Sequence, residues 1–191
     1  EVPRFFAGRL PDFNLGTADG ASADSAIERL AAGIVAEDSA FFDHEGINYE
    51  QLRLTIEANL ENFELSRGAS TITQQLAKNL YLSPSRNPFR KFRELLITRL
   101  LEAALPKRRI LELYLNEVYL GQRGSFAIHG VAEASRLFFG KDVTNLTLAE
   151  AATIAGVIQA PHTYSPFRNT ERARQRRNVV LQTMVETKSS R

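Results

Sequence analysis

The chain has 191 residues, 43% hydrophobic and 24% charged, which is the composition of a globular domain and excludes a disordered segment. It contains no cysteine, so it has neither a disulfide framework nor thiolate chemistry, and no run of 18 apolar residues reads as a membrane span. Formal net charge is only +2, yet Arg86 to Arg109 carries eight Lys/Arg against two Glu, and Arg168 to Arg191 carries seven against two. Such runs suit phosphates, nucleic acid or an acidic membrane surface, and equally suit solvated helix faces.

In chain order, residues 1–24 read as irregular, with turn residues from Asn14 to Ser25. Ser25 and Glu28 form a capping-box pattern before Ile27, Leu30, Ala31, Ile34 and Val35 at helical spacing. A second helix is expected after Asn48, with Leu52, Ile56, Leu60 and Phe63 on one face, and Gly68 breaks the chain. Thr71 and Gln74 predict a capping box and a helix to about Leu80, ended by Ser83-Pro84-Ser85. Asn87-Pro88 opens a long helix to about Leu105, Pro106 interrupts it, and another helix covers Lys107 to Val118. Gly121 to Gly124 reads as a turn and Ala127 to Phe139 as a helix stopped by Gly140. Thr147 and Glu150 cap an apolar helix that ends before Pro161, and the last helix starts near Asn169. The fold class expected is mainly α, about eight helices with room for one short hairpin.

Three polar groups stand out. Glu37 lies seven residues after Leu30 and three after Ile34, on the core-facing stripe and at the C-terminal end of its helix. Partial burial and the helix dipole both favour a pKa above the ordinary value of about 4.3 and hence a role in proton transfer. The run is equally satisfied by a helix end with His44 as a packing or capping side chain. Asp38, Asp43, His44 and Glu45 crowd the following turn but lack metal-ligand spacing. Second, the hydroxyl-rich helix start Gly68-Ala69-Ser70-Thr71-Ile72-Thr73-Gln74-Gln75, with Lys78 one turn on, could receive an anion or be an ordinary capped helix. Third, Arg90, Lys91 and Glu94 share a helix face, as an i,i+4 pair or as two cations and a carboxylate handling a diphosphate, with Glu94 holding a divalent cation or orienting the cations. No nucleotide-binding glycine loop is present.

Glu37-Asp38-x-x-Phe41-x-x-His44-x-Gly46, Gly68-x-Ser70-Thr71-Ile72-Thr73-Gln74-Gln75-Leu76-x-Lys78-Asn79, Arg90-Lys91-x-x-Glu94 and Lys107-x-x-Ile110-Leu111-Glu112-x-Tyr114-Leu115-Asn116 occur in this order. Together they resemble the motifs of the peptidoglycan glycosyltransferases, family 51, over about residues 26–184. The segment from Gly124 through Phe139-Gly140-Lys141 to Tyr164-Ser165-Pro166 is more similar to the bifunctional class A penicillin-binding proteins than to the monofunctional enzymes.

The resemblance implies one glycosyltransferase domain over 1–191, with a lysozyme-like larger lobe and a smaller membrane-facing lobe. A membrane anchor and a transpeptidase domain are expected to lie outside this chain. It implies polymerisation of lipid II into linear β-1,4 glycan strands, by inverting transfer from an undecaprenyl-diphosphate donor at the extracytoplasmic (periplasmic) face of the cell membrane. Glu37 is then the general base on the acceptor 4-hydroxyl, and Glu94 assists at the diphosphate, through Mg²⁺ or Mn²⁺ where a metal is used. Lys78, Arg90, Lys91 and Lys107 contact phosphates, and Ser70, Thr71, Gln74 and Gln75 line the cleft. His44 and Asn79 support the geometry, while Glu112 and Asn116 are structural. No organic cofactor is implied. The partners are lipid II, the nascent glycan and the membrane surface rather than nucleic acid. The alternative from a different reaction class is a lysozyme-like peptidoglycan hydrolase, which would use the two carboxylates but needs no diphosphate site.

Overall fold

The computed structural model describes residues 20–34, 38, 40–62, 70–83 and 89–189. Among these residues the chain forms eight α-helices: α1 (Gly20–Ile34), α2 (Tyr49–Asn62), α3 (Ile72–Tyr81), α4 (Phe89–Ala104), α5 (Lys107–Glu117), α6 (Val131–Phe139), α7 (Leu148–Gln159) and α8 (Thr170–Ser189). A single antiparallel hairpin, β1 (Tyr119–Arg123) and β2 (Phe126–His129), separates α5 from α6, and a 3₁₀ turn at Val143–Asn145 precedes α7. The fold is mainly α, as the periodicity predicts.

Helix α7 is the centre of the larger part. From Ala151 to Ile158 every residue except Thr153 is buried, so this stretch of the helix has no solvent face. Both α1 and α8 pack on α7, while α3 packs against α4 and α5. From α1 come Ile27, Leu30 and Ile34, from α3 Ile72 and Leu76, and from α5 Ile110, Leu113, Tyr114 and Leu115. Two helices differ. On α2 the described side chains of Tyr49, Leu52 and Leu54 are exposed. On α4 the buried face holds Glu94, Thr98 and Leu101, while Phe89, Phe92, Leu96 and Leu100 face solvent.

Three boundaries depart from the sequence expectation. Helix α1 starts at Gly20, five residues before Ser25, whose hydroxyl accepts a 2.7 Å hydrogen bond from Arg29 Nη1. The side chain read as a cap is therefore engaged inside the helix. The expected turn at Gly121–Gly124 is mostly strand: β1 runs to Arg123, with a bulge between Tyr119 and Gly121. The expected helix from Ala127 begins only at Val131, because residues 126–129 pair with β1. Gly130 enforces the switch. Its φ is +74°, and a Cβ there would lie 2.4 Å from the Asn116 carbonyl oxygen, so only glycine lets β2 turn into α6 this close to α5.

The Thr147–Glu150 capping box forms in full, and Lys141 adds two hydrogen bonds to the Glu150 carboxylate at 2.8 and 3.0 Å. The Lys141 bond, with backbone donation from Thr147, holds the Glu150 carboxyl below its ordinary value of 4.5. The stability this gives is fully present above pH 4.5 and is lost as pH falls through the lowered folded value. Glu150→Gln is therefore expected to lower the thermal midpoint at pH 7 by about 2–4 °C, and thermal melts should show that gap closing as pH falls below 4.5.

Candidate active site

The turn after α1 is welded to the start of α3. Asp38 is 1% exposed, and its carboxylate accepts from His44 Nε2 at 3.0 and 3.2 Å and from the Ile72 backbone N–H at 3.1 Å. The Gly46 N–H donates to His44 Nδ1 at 3.0 Å, which fixes the tautomer with its proton on Nε2, aimed at Asp38. The Thr71 hydroxyl donates to the Gly46 carbonyl at 2.7 Å and accepts from the Gln74 N–H at 3.2 Å. Gly46 itself has φ +82°, and a Cβ would stand 2.6 Å from Thr98 Cγ2 on α4. The turn thus sits directly on α4, where no side chain fits.

These contacts make the α3 start a capped helix, one of its two expected readings. Two of its orphan N–H groups have partners: Ile72 donates to Asp38, and Gln74 donates to Thr71. Asp38 places a negative charge at the positive end of α3. Thr71 and Thr73 are buried, and of the three hydroxyls in this run only that of Ser70 is exposed. The Thr71–Gln74 capping box is half formed: Thr71 caps, but the Gln74 amide turns elsewhere.

It turns toward Lys91. The Lys91 ammonium donates to Glu94 Oε1 in a very short contact, to Gln74 Oε1 at 3.3 Å and to Ser70 Oγ at 3.4 Å. Glu94 is buried, with its side chain 5% exposed, whereas that of Lys91 is 53% exposed. A buried carboxylate needs a charged partner, and Lys91 is that partner. The ammonium has three donors, and its bonds to Ser70 and Gln74 are the long ones. An arriving anion can replace these two while Glu94 keeps the cation aimed. The second and third sequence elements therefore meet at one point.

The other expected residues lie on two further surfaces. Lys78, Asn79 and Arg90 line a recess of about 310 Å³ together with Leu82, Ser83, Glu117, Tyr119 and His129. Lys107 faces inward. It donates to Glu102 Oε1 at 2.8 Å and sits 4.5 Å from the centroid of the Phe41 ring, and Glu102 also accepts from the Thr73 hydroxyl. This ion pair ties α5 to α4 and α3, and 22% of the Lys107 side chain is exposed. Gln75 spans locally, donating to the Ser70 carbonyl at 3.3 Å and accepting from the Tyr114 hydroxyl at 3.1 Å. Glu112 pairs with Arg108 and Arg109 on its own helix, consistent with a structural role. Glu37 lies outside the described residues.

Among the described residues no group of three or more His, Asp or Glu could hold a metal ion. Glu94 offers one carboxylate, and Lys91 already engages it. These donors do not make a resident cation cage. Sequence reasoning missed Glu102, although Arg90, Glu94, Thr98 and Glu102 form an i,i+4 row on α4 that marks a polar face in the core. It also missed Glu117 at the end of α5, and Tyr119 and His129, whose hairpin was not placed and was read in part as turn and helix.

A sequence model of the family described as Transglycosylase matches residues 22–185. Penicillin-binding protein 1A of Neisseria lactamica is 45% identical over 157 residues, 82% of this chain and 19% of that protein. Penicillin-binding protein 1B of Vibrio cholerae is 44% identical over 153 residues, covering 80% and 20%. Penicillin-binding protein 1B of Haemophilus influenzae is 43% identical over 155 residues, covering 81% and 20%. The chain therefore spans about a fifth of the length of the curated relatives it matches. This family is one of transferases, which sets the hydrolase alternative aside. With its mainly helical, lysozyme-like fold and its motifs in order, the chain belongs to the Transglycosylase family, the peptidoglycan glycosyltransferases.

Proposed function

We propose that this domain polymerises lipid II into linear β-1,4 glycan strands at the extracytoplasmic surface of the cell membrane. The observation that carries the reading is the convergence of Ser70, Gln74 and buried Glu94 on the Lys91 ammonium, beside a recess lined by Lys78 and Arg90. A hydrolase acting on neutral glycan has no use for cations gathered in this way, whereas a diphosphate leaving group does.

In the reaction, the acceptor 4-hydroxyl oxygen attacks the donor anomeric carbon from the face opposite the diphosphate. The carbon–oxygen bond to the diphosphate breaks, and its electron pair leaves with the phosphate. Glu37 takes the hydroxyl proton, and the α-linked donor becomes a β-linked product. Lys91 neutralises charge developing on the leaving diphosphate, while Glu94 holds its ammonium in line. Lys78 and Arg90 bind the same group from the recess. Where Mg²⁺ or Mn²⁺ is used with the substrate, Glu94 would be the residue to hold it, and the ion would supply further charge neutralisation.

The membrane side of the proposal rests on α4. Phe89, Phe92, Leu96 and Leu100 recur at spacings of three and four, all exposed, and Arg93 and Arg99 flank them. An apolar stripe of this width with basic flanks suits an interfacial helix lying in anionic lipid headgroups. Glu94 and Lys91 lie round the other side of the same helix, so the stripe would set the diphosphate site at the depth where a lipid-linked substrate presents its headgroup. No helix among the described residues is long and apolar enough to cross a membrane.

Two outcomes are expected. With labelled lipid II, Glu37→Gln should lose polymer formation by about 10²- to 10⁴-fold while circular dichroism shows the native helix content, and an active Glu37→Gln protein would sink the assignment of the base. Replacing Phe92 and Leu96 together by Ser should weaken co-sedimentation with phosphatidylglycerol vesicles by about tenfold or more, and undiminished sedimentation would remove α4 from the membrane contact.

A further inference from the structure

The recess beside the Lys91–Glu94 cluster has two chemically different walls. Lys78, Asn79 and Arg90 form one, from α3 and α4. Glu117, Tyr119 and His129 form the other, from the end of α5 and the hairpin. The second wall carries a carboxylate, so a ligand anionic throughout is repelled by it. A ligand that fits both walls is anionic at one end and neutral, rich in hydrogen-bond donors, at the other.

His129 is built to meet that neutral end. Its backbone N–H donates to the Glu133 carboxylate at 3.0 Å, and the next residue is the close-packed Gly130, so the main chain beneath it is fixed. Its ring lies 5.4 Å from that of Tyr119, which in turn lies 6.1 Å from that of His162. His129 Nδ1 lies 3.4 Å from the Glu117 carbonyl oxygen. A carbonyl only accepts, so the proton of the neutral ring is on Nδ1 and Nε2 is left as an acceptor. No bond to Nε2 is found among the described residues, and the side chain is exposed.

We infer that His129 is a substrate-binding residue of the transfer reaction, taking the sugar joined to the diphosphate. The cationic wall receives the phosphate oxygens. Nε2 accepts from a hydroxyl or amide N–H of the sugar, and the ring row of His129 and Tyr119 offers the flat surface a pyranose packs on. His129 thereby discriminates a sugar diphosphate from a bare diphosphate, a distinction the two cations alone do not make. The inference rests on the polymerase reading for its substrate class.

Calorimetric titration of the 191-residue chain with two probes tests it: inorganic pyrophosphate, and a soluble short-prenyl diphosphate carrying an N-acetylated amino sugar. His129→Ala should weaken the sugar diphosphate about tenfold and leave pyrophosphate unchanged, with His129→Gln recovering part of the loss through its amide oxygen. Lys78→Ala and Arg90→Ala should weaken both ligands. Unchanged sugar-diphosphate affinity in His129→Ala, equal loss of both probes, or no binding of the sugar diphosphate by the unsubstituted chain would each overturn the inference. Polymer formation from lipid II by the unsubstituted chain is a separate readout, so the inference can fall while the polymerase reading stands.

Discussion

The buried carboxylate of Asp38 is the contact on which the site depends. One side chain satisfies the imidazole of His44 and the first free N–H of α3, so it fixes both the turn that follows Glu37 in sequence and the helix that carries Gln74. The Gly46 carbonyl completes the joint by accepting from Thr71. Each group has a partner, as burial requires, because an orphaned donor there would cost about 1–3 kcal/mol. Gly46 is the steric counterpart of this electrostatic joint: its left-handed backbone and the contact with Thr98 press the turn onto α4.

From that joint the polar contacts run outward in two directions. One passes through Gln74 to Lys91 and Glu94, ending in a cation with solvent-facing donors. The other passes through Thr73 and Glu102 to Lys107, ending in an internal ion pair capped by the Phe41 ring. Lys107 thereby ties α5 to α3 and α4 with 22% of its side chain exposed, whereas 53% of the Lys91 side chain is exposed. Fixing the helices that carry the two cations keeps their charges from drifting.

Much of this was legible in the sequence. Helical spacing and capping signals placed α3, α5 and α7 to within a residue or so, because each has a strong apolar face or a full cap. The motifs placed Ser70, Gln74, Lys91 and Glu94 as candidates, and the fold brings these four together. What did not show was long-range. Residues 126–129 have helical neighbours and no alternating pattern, and they became strand only because β1 offered a partner and Gly130 allowed the turn. Thr71 and Lys107 find their partners 25 and 5 residues away in sequence, through tertiary contact. Propensity and spacing report neither.

The central claim is that the Asp38 joint aligns the ligand-facing Lys91. A double-mutant cycle with Asp38→Asn and Lys91→Met, read as kcat/KM for glycan formation, addresses it directly. Asparagine keeps the shape of Asp38 but sets an amide donor against either His44 Nε2–H or Ile72 N–H. If the joint aligns Lys91, the loss from Lys91→Met should shrink by about 1 kcal/mol or more in the Asp38→Asn background, since a misaligned cation has less to lose. Additive losses, with the helix content of both single variants intact, would contradict the account.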